Sequence, residues 1–339
     1  YRDLNLPRFY DKKRIPLDQE LVKVEWYQVP FDKNTSPVSP EKRPSYKQVI
    51  GADRKGQLKF RPAGKGQPFG PSWSTTWFKI HLKIPQDWLD SNEQLIFEWD
   101  CGNEGVVVDP ERLVPVTAFS GGERKEYMLP KGRKHLFFYI ECGNNGMFGC
   151  GNGSSINPPD DNRYFHLSAA DLVWPNWQAR GLYIDFWMLG DAARELPGNS
   201  WQKHRARHVG NIIMDLFDPG DPKSVEKCRE LCHAEMFDKF VESPEVYQQG
   251  DSQVMNNVFA MGNCHIDTAW LWPFAETRRK VARSWSSQCT LMDEYPEYQF
   301  VASQAQQFKW LLEDHPDFFH DVLVPKVQQS QFFPIGGSW

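Results

Sequence analysis

The C-terminal part of the sequence, residues 252–339, alternates short apolar segments with long helical ones, and this order restricts the fold more than any other feature. Apolar strands are predicted over residues 258–261, 299–303 and 332–335, and helices over 276–294 and 304–328. Strands separated by helices of this length form βαβ units of a parallel sheet. Because a three-stranded parallel sheet buries its two faces poorly, we expect the beginning of a larger α/β domain.

The preceding residues divide into three regions by composition and period. Residues 1–51 are polar and charged, with one candidate strand at 21–26, and are expected to form an N-terminal arm. Residues 52–170 hold short segments with period-two alternation between Gly, Pro and Asp, which is typical of a β-sandwich. Residues 171–245 have apolar side chains at helical spacing and form a predicted helical linker region, with Ser200 as an N-cap. The last domain is assigned to residues 246–339.

Composition disfavours several classes of partner. The net charge of −5 and the pI near 6.0 give no positive field for nucleic acid. No apolar run approaches the roughly 18 residues of a membrane span, and residues 1–14 lack the apolar core of a signal peptide. The seven cysteines are scattered without a CxxC pair, which favours reduced thiols in a cytosolic setting.

Two local patterns have structural explanations. The glycine-rich stretch 142–153 has no Lys, Ser or Thr in phosphate-loop order and is predicted to be a tight surface turn. Cys228 and Cys232 are four residues apart on a predicted helix, with His233 adjacent. Only the two thiols share a helix face, so packing in the helical core is favoured over metal binding there.

The candidate chemistry follows the first apolar strand of the C-terminal region. In extended backbone His265 and Asp267 point the same way, with Cα atoms roughly 6–7 Å apart. An imidazole nitrogen and a carboxylate oxygen that converge on one ion suit Zn²⁺. Taken alone, the pair equally fits a core histidine beside a capping aspartate. Trp270 offers an indole face to a sugar ring or belongs to a structural aromatic cluster.

A longer set of residues resembles the start of the catalytic domain of glycoside hydrolase family 38, the class II α-mannosidases. It comprises residues 265–274, 276–277, 279–280, 282–285, 303–307 and 334–339. Upstream, the sequence is similar to the N-terminal β-domain of the cytosolic and vacuolar branch of that family, the fungal vacuolar form especially. This second likeness lies in residues 69–73, 77–78, 144–149 and 158–160.

The resemblance implies a zinc-dependent retaining exo-α-mannosidase that hydrolyses terminal α-mannosyl residues of free oligosaccharides. It also implies that the β-sandwich and helical segment precede the first βαβαβ units of a (β/α)₇ barrel. His265 and Asp267 match two zinc ligands, and Trp270 matches a residue that stacks near the terminal mannose. The family's nucleophile and acid/base residue lie on later strands, beyond Trp339. No catalytic residue is therefore expected here, and the chain alone is predicted to be inactive.

One departure and two alternatives accompany this interpretation. Asn263 stands where the family usually has a histidine, so an imidazole next to the metal site is absent. The first alternative is a noncatalytic module that mediates oligomerisation or cargo recognition through the sandwich. The second is a zinc-dependent deacetylase of related barrel type, disfavoured by residues 270–273. A cytoplasmic location, with delivery to the vacuole, is expected, and the sandwich and helical arm would suit contacts in a homo-oligomer.

Overall fold

The computed structural model describes residues 4, 6–30, 43–151, 157–238 and 260–336. The chain divides into two compact units, one of Tyr1–Arg14 with Val173–Val258 and one of Ile15–Leu172 with Phe259–Trp339. The strands in chain order are β1 Asp11–Ile15, β2 Val22–Gln28, β3 Arg61–Pro62, β4 Pro68–Phe69, β5 Thr75–Lys83, β6 Ile96–Asp100, β7 Glu104–Val108, β8 Pro115–Phe119, β9 Glu126–Met128, β10 His135–Gly143, β11 Phe165–His166, β12 Ala169–Pro175, β13 Gly262–Asn263, β14 Phe300–Ala302 and β15 Phe332–Pro334.

The helices follow the same chain order. They are α1 Tyr46–Arg54, α2 Gln86–Asp90, α3 Trp177–Glu195, α4 Trp201–Leu216, α5 Lys223–Cys232, α6 Phe274–Glu294, α7 Ala305–Asp314, α8 Pro316–Phe318 and α9 Val324–Gln328. A 3₁₀ turn at Leu6–Phe9 and π-helical turns at His233–Phe237 and Phe319–Leu323 complete the helical elements of the described residues. None of these helices has both the length and the apolar composition needed to cross a membrane.

The second unit contains the predicted β-sandwich. One sheet has the order β3-β2-β5-β10-β7-β8, and the other places β12, β6 and β9 side by side. Aromatic side chains from the two sheets meet between them: the ring centroids of Phe78 and Trp99 are 4.7 Å apart, and those of Phe97 and Phe138 are 5.5 Å apart. Large apolar area buried between two layers is the main stabilising contribution in such a fold.

Strand β2 and helix α1, which lie within the expected N-terminal arm, belong to the same unit as the sandwich. Strand β2 pairs antiparallel with β5 from Val22↔Leu82 to Gln28↔Thr76, and Val22 and Val24 are fully buried. Helix α1 begins at a capping box, in which Ser45 accepts from the backbone N–H of Gln48. The strand predicted over 21–26 is therefore observed as Val22–Gln28, with its alternating valines inside the sheet.

The same unit contains a three-stranded parallel sheet in the order β13-β14-β15. Helix α6 lies between the first two strands in the chain, as predicted, and its Val281 and Trp285 are buried with Phe300 and Phe332. The helix predicted over 304–328 is interrupted near His315, because a residue before proline avoids the α conformation.

The first parallel strand lies later than predicted. The expected strand at 258–261 falls partly outside the described residues, and its described end, Met261, is exposed. Pairing occurs instead at Gly262–Asn263, where the Gly262 N–H donates to the Gln299 carbonyl at 2.8 Å. A Cβ at Gly262 would lie 2.1 Å from Tyr298 Oη, so a larger residue here would displace the Tyr298 side chain.

Helix α6 also covers an edge of the sandwich. Strand β8 is the last strand of the six-stranded sheet. The Ala118 N–H donates to Ser287 Oγ at 3.0 Å, and Thr290 Oγ1 donates to the Val116 carbonyl at 2.6 Å. Side chains of a helix therefore satisfy backbone groups that an edge strand would otherwise expose.

The first unit is a cluster of helices. Asn176 and Ser200 cap α3 and α4 by accepting from backbone N–H groups three residues later, which confirms the predicted N-cap at Ser200. Cys228 and Cys232 are fully buried in the core of this unit. Burial raises the pKa of these thiols to about 11 and about 12, so both are protonated core residues.

Candidate functional site

His265 and Asp267 follow β13 in extended backbone and lie on the same side of it. His265 Nε2 is 2.9 Å from Asp267 Oδ1, and the side chains are 65% and 44% exposed. Ile266 between them points the other way into the core and is 6% exposed. The period of two therefore places one imidazole and one carboxylate together at the surface, at the carboxyl end of a parallel strand.

Two glutamines from the next βα unit fix this segment. Gln307 Nε2 donates to the Ile266 carbonyl at 2.6 Å, and Gln304 Nε2 donates to the same oxygen at 3.2 Å. Thr268 Oγ1 donates to Gln304 Oε1, and Thr277 Oγ1 donates to the Thr268 carbonyl at 2.6 Å. Hydrogen bonds on both sides of Asp267 hold the backbone that carries the two functional side chains.

Trp270 stands beside the pair with its indole half exposed, at 50%. It meets the buried Trp272 edge-on at a centroid distance of 5.3 Å, and Trp272 Nε1 donates to Thr277 Oγ1 at 3.1 Å. His265, Asp267 and Trp270 all line one cleft of about 470 Å³. A cleft of this volume, with an imidazole, a carboxylate and an aromatic face, has the size and composition of a small-ligand site.

Behind the cleft lies a cluster of buried charges. Glu276, Arg279, Lys280 and Arg283 recur on one face of α6, and all are at most 6% exposed. Glu104, from sandwich strand β7, accepts from Lys280 Nζ at 2.5 Å and from Arg283 Nη2 at 3.1 Å. Glu276 accepts a hydrogen bond from Arg283. This buried charge cluster joins the sandwich to α6.

Opposite charges in the cluster outweigh the effect of burial on the pKa of Glu276 and of Arg283. Burial alone would raise the pKa of Glu276, but Arg283, Arg279 and Lys280 outweigh it and hold the pKa below its usual value. Burial lowers the pKa of Arg279 to about 10, with Arg43 adding to the effect. For Arg283, burial is outweighed by Glu104 and Glu276, which raise its pKa. Glu276, Arg279 and Arg283 are therefore charged at neutral pH.

Two family models match the chain. Residues 29–173 match the model "Alpha-mannosidase, jelly roll domain", and residues 255–339 match "Glycosyl hydrolases family 38 N-terminal domain". The second match includes His265, Asp267, Trp270 and the two glutamines. The chain belongs to glycoside hydrolase family 38. The jelly roll model covers the β-sandwich of this family 38 chain.

Individual relatives agree with the family. The chain is 71% identical to a Saccharomyces cerevisiae alpha-mannosidase over all of its length and 31% of that protein. It is 37% identical to alpha-mannosidase G of Dictyostelium discoideum and 33% identical to human alpha-mannosidase 2C1, covering 26% and 27% of their lengths. This family 38 chain therefore spans less than a third of the curated relatives it matches. Among solved structures, a β-glucuronidase of Ruminococcus gnavus aligns with 49% of this chain and 31% of its own length, at 12% identity. Its TM-score of 0.27 is too low to support an argument about fold or function.

The donor set of the family 38 site fits part of a zinc centre. His265 Nε2 and Asp267 Oδ1 are hydrogen-bonded at 2.9 Å. They would have to separate slightly to share one tetrahedral zinc, whose donor atoms lie about 3.3 Å apart if each bond is about 2.05 Å. Both side chains reach the cleft. Within residues 4, 6–30, 43–151, 157–238 and 260–336, however, no group of three or more His, Cys, Asp or Glu could hold a metal. The pair would supply half of a four-ligand set.

Other residues singled out from the sequence lie elsewhere or have other contacts. Cys228, Cys232 and His233 belong to the helical unit and form no metal group among the described residues. Asn263, which replaces the usual histidine beside the site, donates from Nδ2 to the Val301 carbonyl at 2.9 Å. The buried charge cluster was missed because four charged residues at helical spacing usually indicate a solvent-exposed face. Glu104, which holds two of them in place, is 172 residues before Glu276 in the sequence.

Proposed function

We propose that this chain supplies part of a zinc-dependent retaining exo-α-mannosidase that removes terminal α-mannosyl residues from free oligosaccharides. The convergence of His265 and Asp267 on the cleft beside Trp270, within the segment that matches the family 38 domain, is the observation that carries the proposal. The three parallel strands would then be the first strands of a (β/α)₇ barrel, whose active face is formed by the carboxyl ends of the strands.

Each residue of this site has a defined role in the proposal. His265 and Asp267 would hold zinc through Nε2 and a carboxylate oxygen, and the bound ion would supply a Lewis acid for sugar hydroxyl groups. Trp270 would bind the apolar face of the mannose ring and orient it over the cleft. Gln304 and Gln307 would keep the metal-binding segment in position through the Ile266 carbonyl.

The retaining reaction needs two carboxyl groups about 5.5 Å apart, one as nucleophile and one as acid/base. In the described part of the chain, the carboxylates that line the cleft are Asp267 and Glu104. Glu104 forms buried ion pairs with Lys280 and Arg283, so its carboxylate has a structural role between the sandwich and α6. We therefore propose that the nucleophile and the acid/base residue lie outside these 339 residues, and that this chain alone does not hydrolyse mannosides.

The proposed partners are mannose-containing oligosaccharides and further copies of the protein in a homo-oligomer. The proposed location is the cytoplasm, with delivery to the vacuole. The odd number and scattered positions of the seven cysteines support a reducing compartment.

Metal analysis of the whole enzyme tests the proposal. We expect His265→Ala to lower zinc content and to abolish chelator-sensitive hydrolysis of 4-nitrophenyl α-mannoside, because one of two ligands in this segment is removed. His208→Ala, an exposed histidine on α4, is the matched control and should retain zinc and activity. Unchanged zinc in His265→Ala would remove His265 from the metal site. Release of mannose by the isolated 339-residue chain would contradict the proposed position of the missing carboxylates.

A further inference from the structure

We propose that Phe148, on the glycine-rich loop of the sandwich, is a second sugar-contacting aromatic residue and helps to determine specificity for the mannosyl ring. This inference rests on the proposed function, because it extends the same cleft. It assigns to the sandwich a direct part in substrate binding, beside its contacts with α6.

The ring of Phe148 is placed against Trp270 at the cleft. Their centroids are 5.7 Å apart with an interplanar angle of 88°, so the two rings form a corner. Phe148 is 55% exposed and Trp270 is 50% exposed, and both line the cleft that contains His265 and Asp267. One ring of such a corner can stack on the face of a pyranose while the other contacts its edge.

The loop that carries Phe148 is held by hydrogen bonds on both sides of that residue. The Gly146 N–H donates to the Gly149 carbonyl at 2.9 Å, and the Gly149 N–H donates to the Gly146 carbonyl at 3.1 Å. Lys280 Nζ, from the buried charge cluster, donates to the Met147 carbonyl at 2.8 Å. Although Phe148 is exposed, the backbone beneath it is therefore fixed to α6.

The loop also docks directly on the segment that carries Trp270. Gly149 has φ of +85°, and a Cβ there would lie 2.3 Å from the Leu271 carbonyl oxygen. Only glycine allows the two backbones to approach so closely. Cys150, the next residue, packs with Trp272 in a small buried cluster. The sequence predicts this stretch only as a surface turn, and the structure adds a contact with the residue between Trp270 and Trp272.

Packing alone does not explain an aromatic corner of this kind. Burial stabilises aromatic rings by removing them from water, whereas about half of each of these rings remains exposed. Exposed aromatic side chains that share a cleft with polar groups are characteristic of ligand sites. The polar side chains of the cleft include the imidazole of His265 and the carboxylate of Asp267, which suit a ligand with one apolar face and several hydroxyl groups. A pyranose has this combination.

Kinetics and binding of the whole enzyme test the inference. For Phe148→Ala we expect the KM for 4-nitrophenyl α-mannoside and the Kd for methyl α-mannoside, by ligand-observed NMR, to rise about tenfold, with kcat within about twofold. Zinc content and the thermal midpoint should be unchanged, since the ring is exposed and is not one of the proposed metal ligands. Phe148→Tyr, which keeps an aromatic ring, should restore both constants to near the parent values.

Phe137→Ala is the matched control, because Phe137 is an exposed sandwich phenylalanine, 38% exposed, outside the lining of the cleft. It should leave KM and Kd unchanged. If Phe148→Ala and Phe137→Ala give the same constants in an active enzyme, the inference about Phe148 is overturned and the proposed function remains. If the parent protein neither binds nor hydrolyses the mannosides, the proposed function fails, and the inference fails with it.

Discussion

Replacing Glu276 by glutamine tests how far the buried charge cluster stabilises the protein. The Glu276 carboxylate accepts from Arg283 and from Asn145 Nδ2 at 3.1 Å, and one of its oxygens is 3.7 Å from Arg279 Nη1. Glutamine keeps the shape and removes the charge. The remaining carboxylates, Glu104 and Glu141, would then face three cations on α6, namely Arg279, Lys280 and Arg283.

The expected cost follows from this uncompensated charge. Removing one partner of a buried ion pair lowers the free energy of unfolding by about 3–5 kcal/mol. In a domain of this size each kcal/mol lowers Tm by about 2–4 °C, so Glu276→Gln should lower Tm by about 6–20 °C. Amide protons of α6 should also exchange faster, because the cluster anchors this helix to the sandwich.

Thermal unfolding and hydrogen exchange of the whole protein provide the measurement. Glu313→Gln is the matched control, since Glu313 is 44% exposed and pairs with Arg278 at 3.0 Å on the surface. The control should change the free energy of unfolding by less than about 1 kcal/mol. If Glu276→Gln lowers Tm no more than Glu313→Gln does, the buried charge cluster does not stabilise the fold as argued.

Two further perturbations address other parts of the same unit. Burial, with a smaller contribution from the charge of Arg43, lowers the pKa of His315 from 6.5 to about 4. As the pH falls, the imidazole is therefore protonated in the unfolded chain before it is protonated in the folded protein. The free energy of unfolding is therefore highest above pH 6.5 and decreases towards pH 4, by about 2 kcal/mol after allowance for the partial exposure of the imidazole. Urea unfolding of His315→Gln should show a flatter pH dependence over this range. In the same assay, Gly149→Ala should lower the free energy of unfolding by about 2 kcal/mol more than Gly122→Ala. Both glycines have positive φ, but only Gly149 has a backbone atom within 4 Å of the added Cβ. Equal losses would show that the loop moves away from Leu271 without cost.

The sequence predicts the elements that depend on local period. Alternation in residues 76–84 predicts a strand that is observed as Thr75–Lys83, and the helix predicted over 276–294 is observed as Phe274–Glu294. The side on which His265 and Asp267 lie follows from extended geometry alone. These features need no information about distant parts of the chain.

Features that depend on tertiary contacts could not be predicted in this way. Strand β2 has a polar neighbourhood in the sequence, and its place in the sheet depends on β5, about fifty residues later. Lys280 has the spacing of a surface residue and is buried only because Glu104 and the Met147 carbonyl meet it from the sandwich. Gln304 and Gln307 were part of a family motif, but their hydrogen bonds to the Ile266 carbonyl appear only in three dimensions.

The cover that α6 provides for β8 has a consequence for dividing the protein experimentally. Two different family models describe the sandwich and the parallel sheet, which invites expressing them separately. A polypeptide ending at residue 172 would lose Ser287 and Thr290 and leave β8 able to recruit a strand from another molecule. We expect such a fragment to self-associate in solution, so cutting the chain after residue 172 should not give two soluble halves.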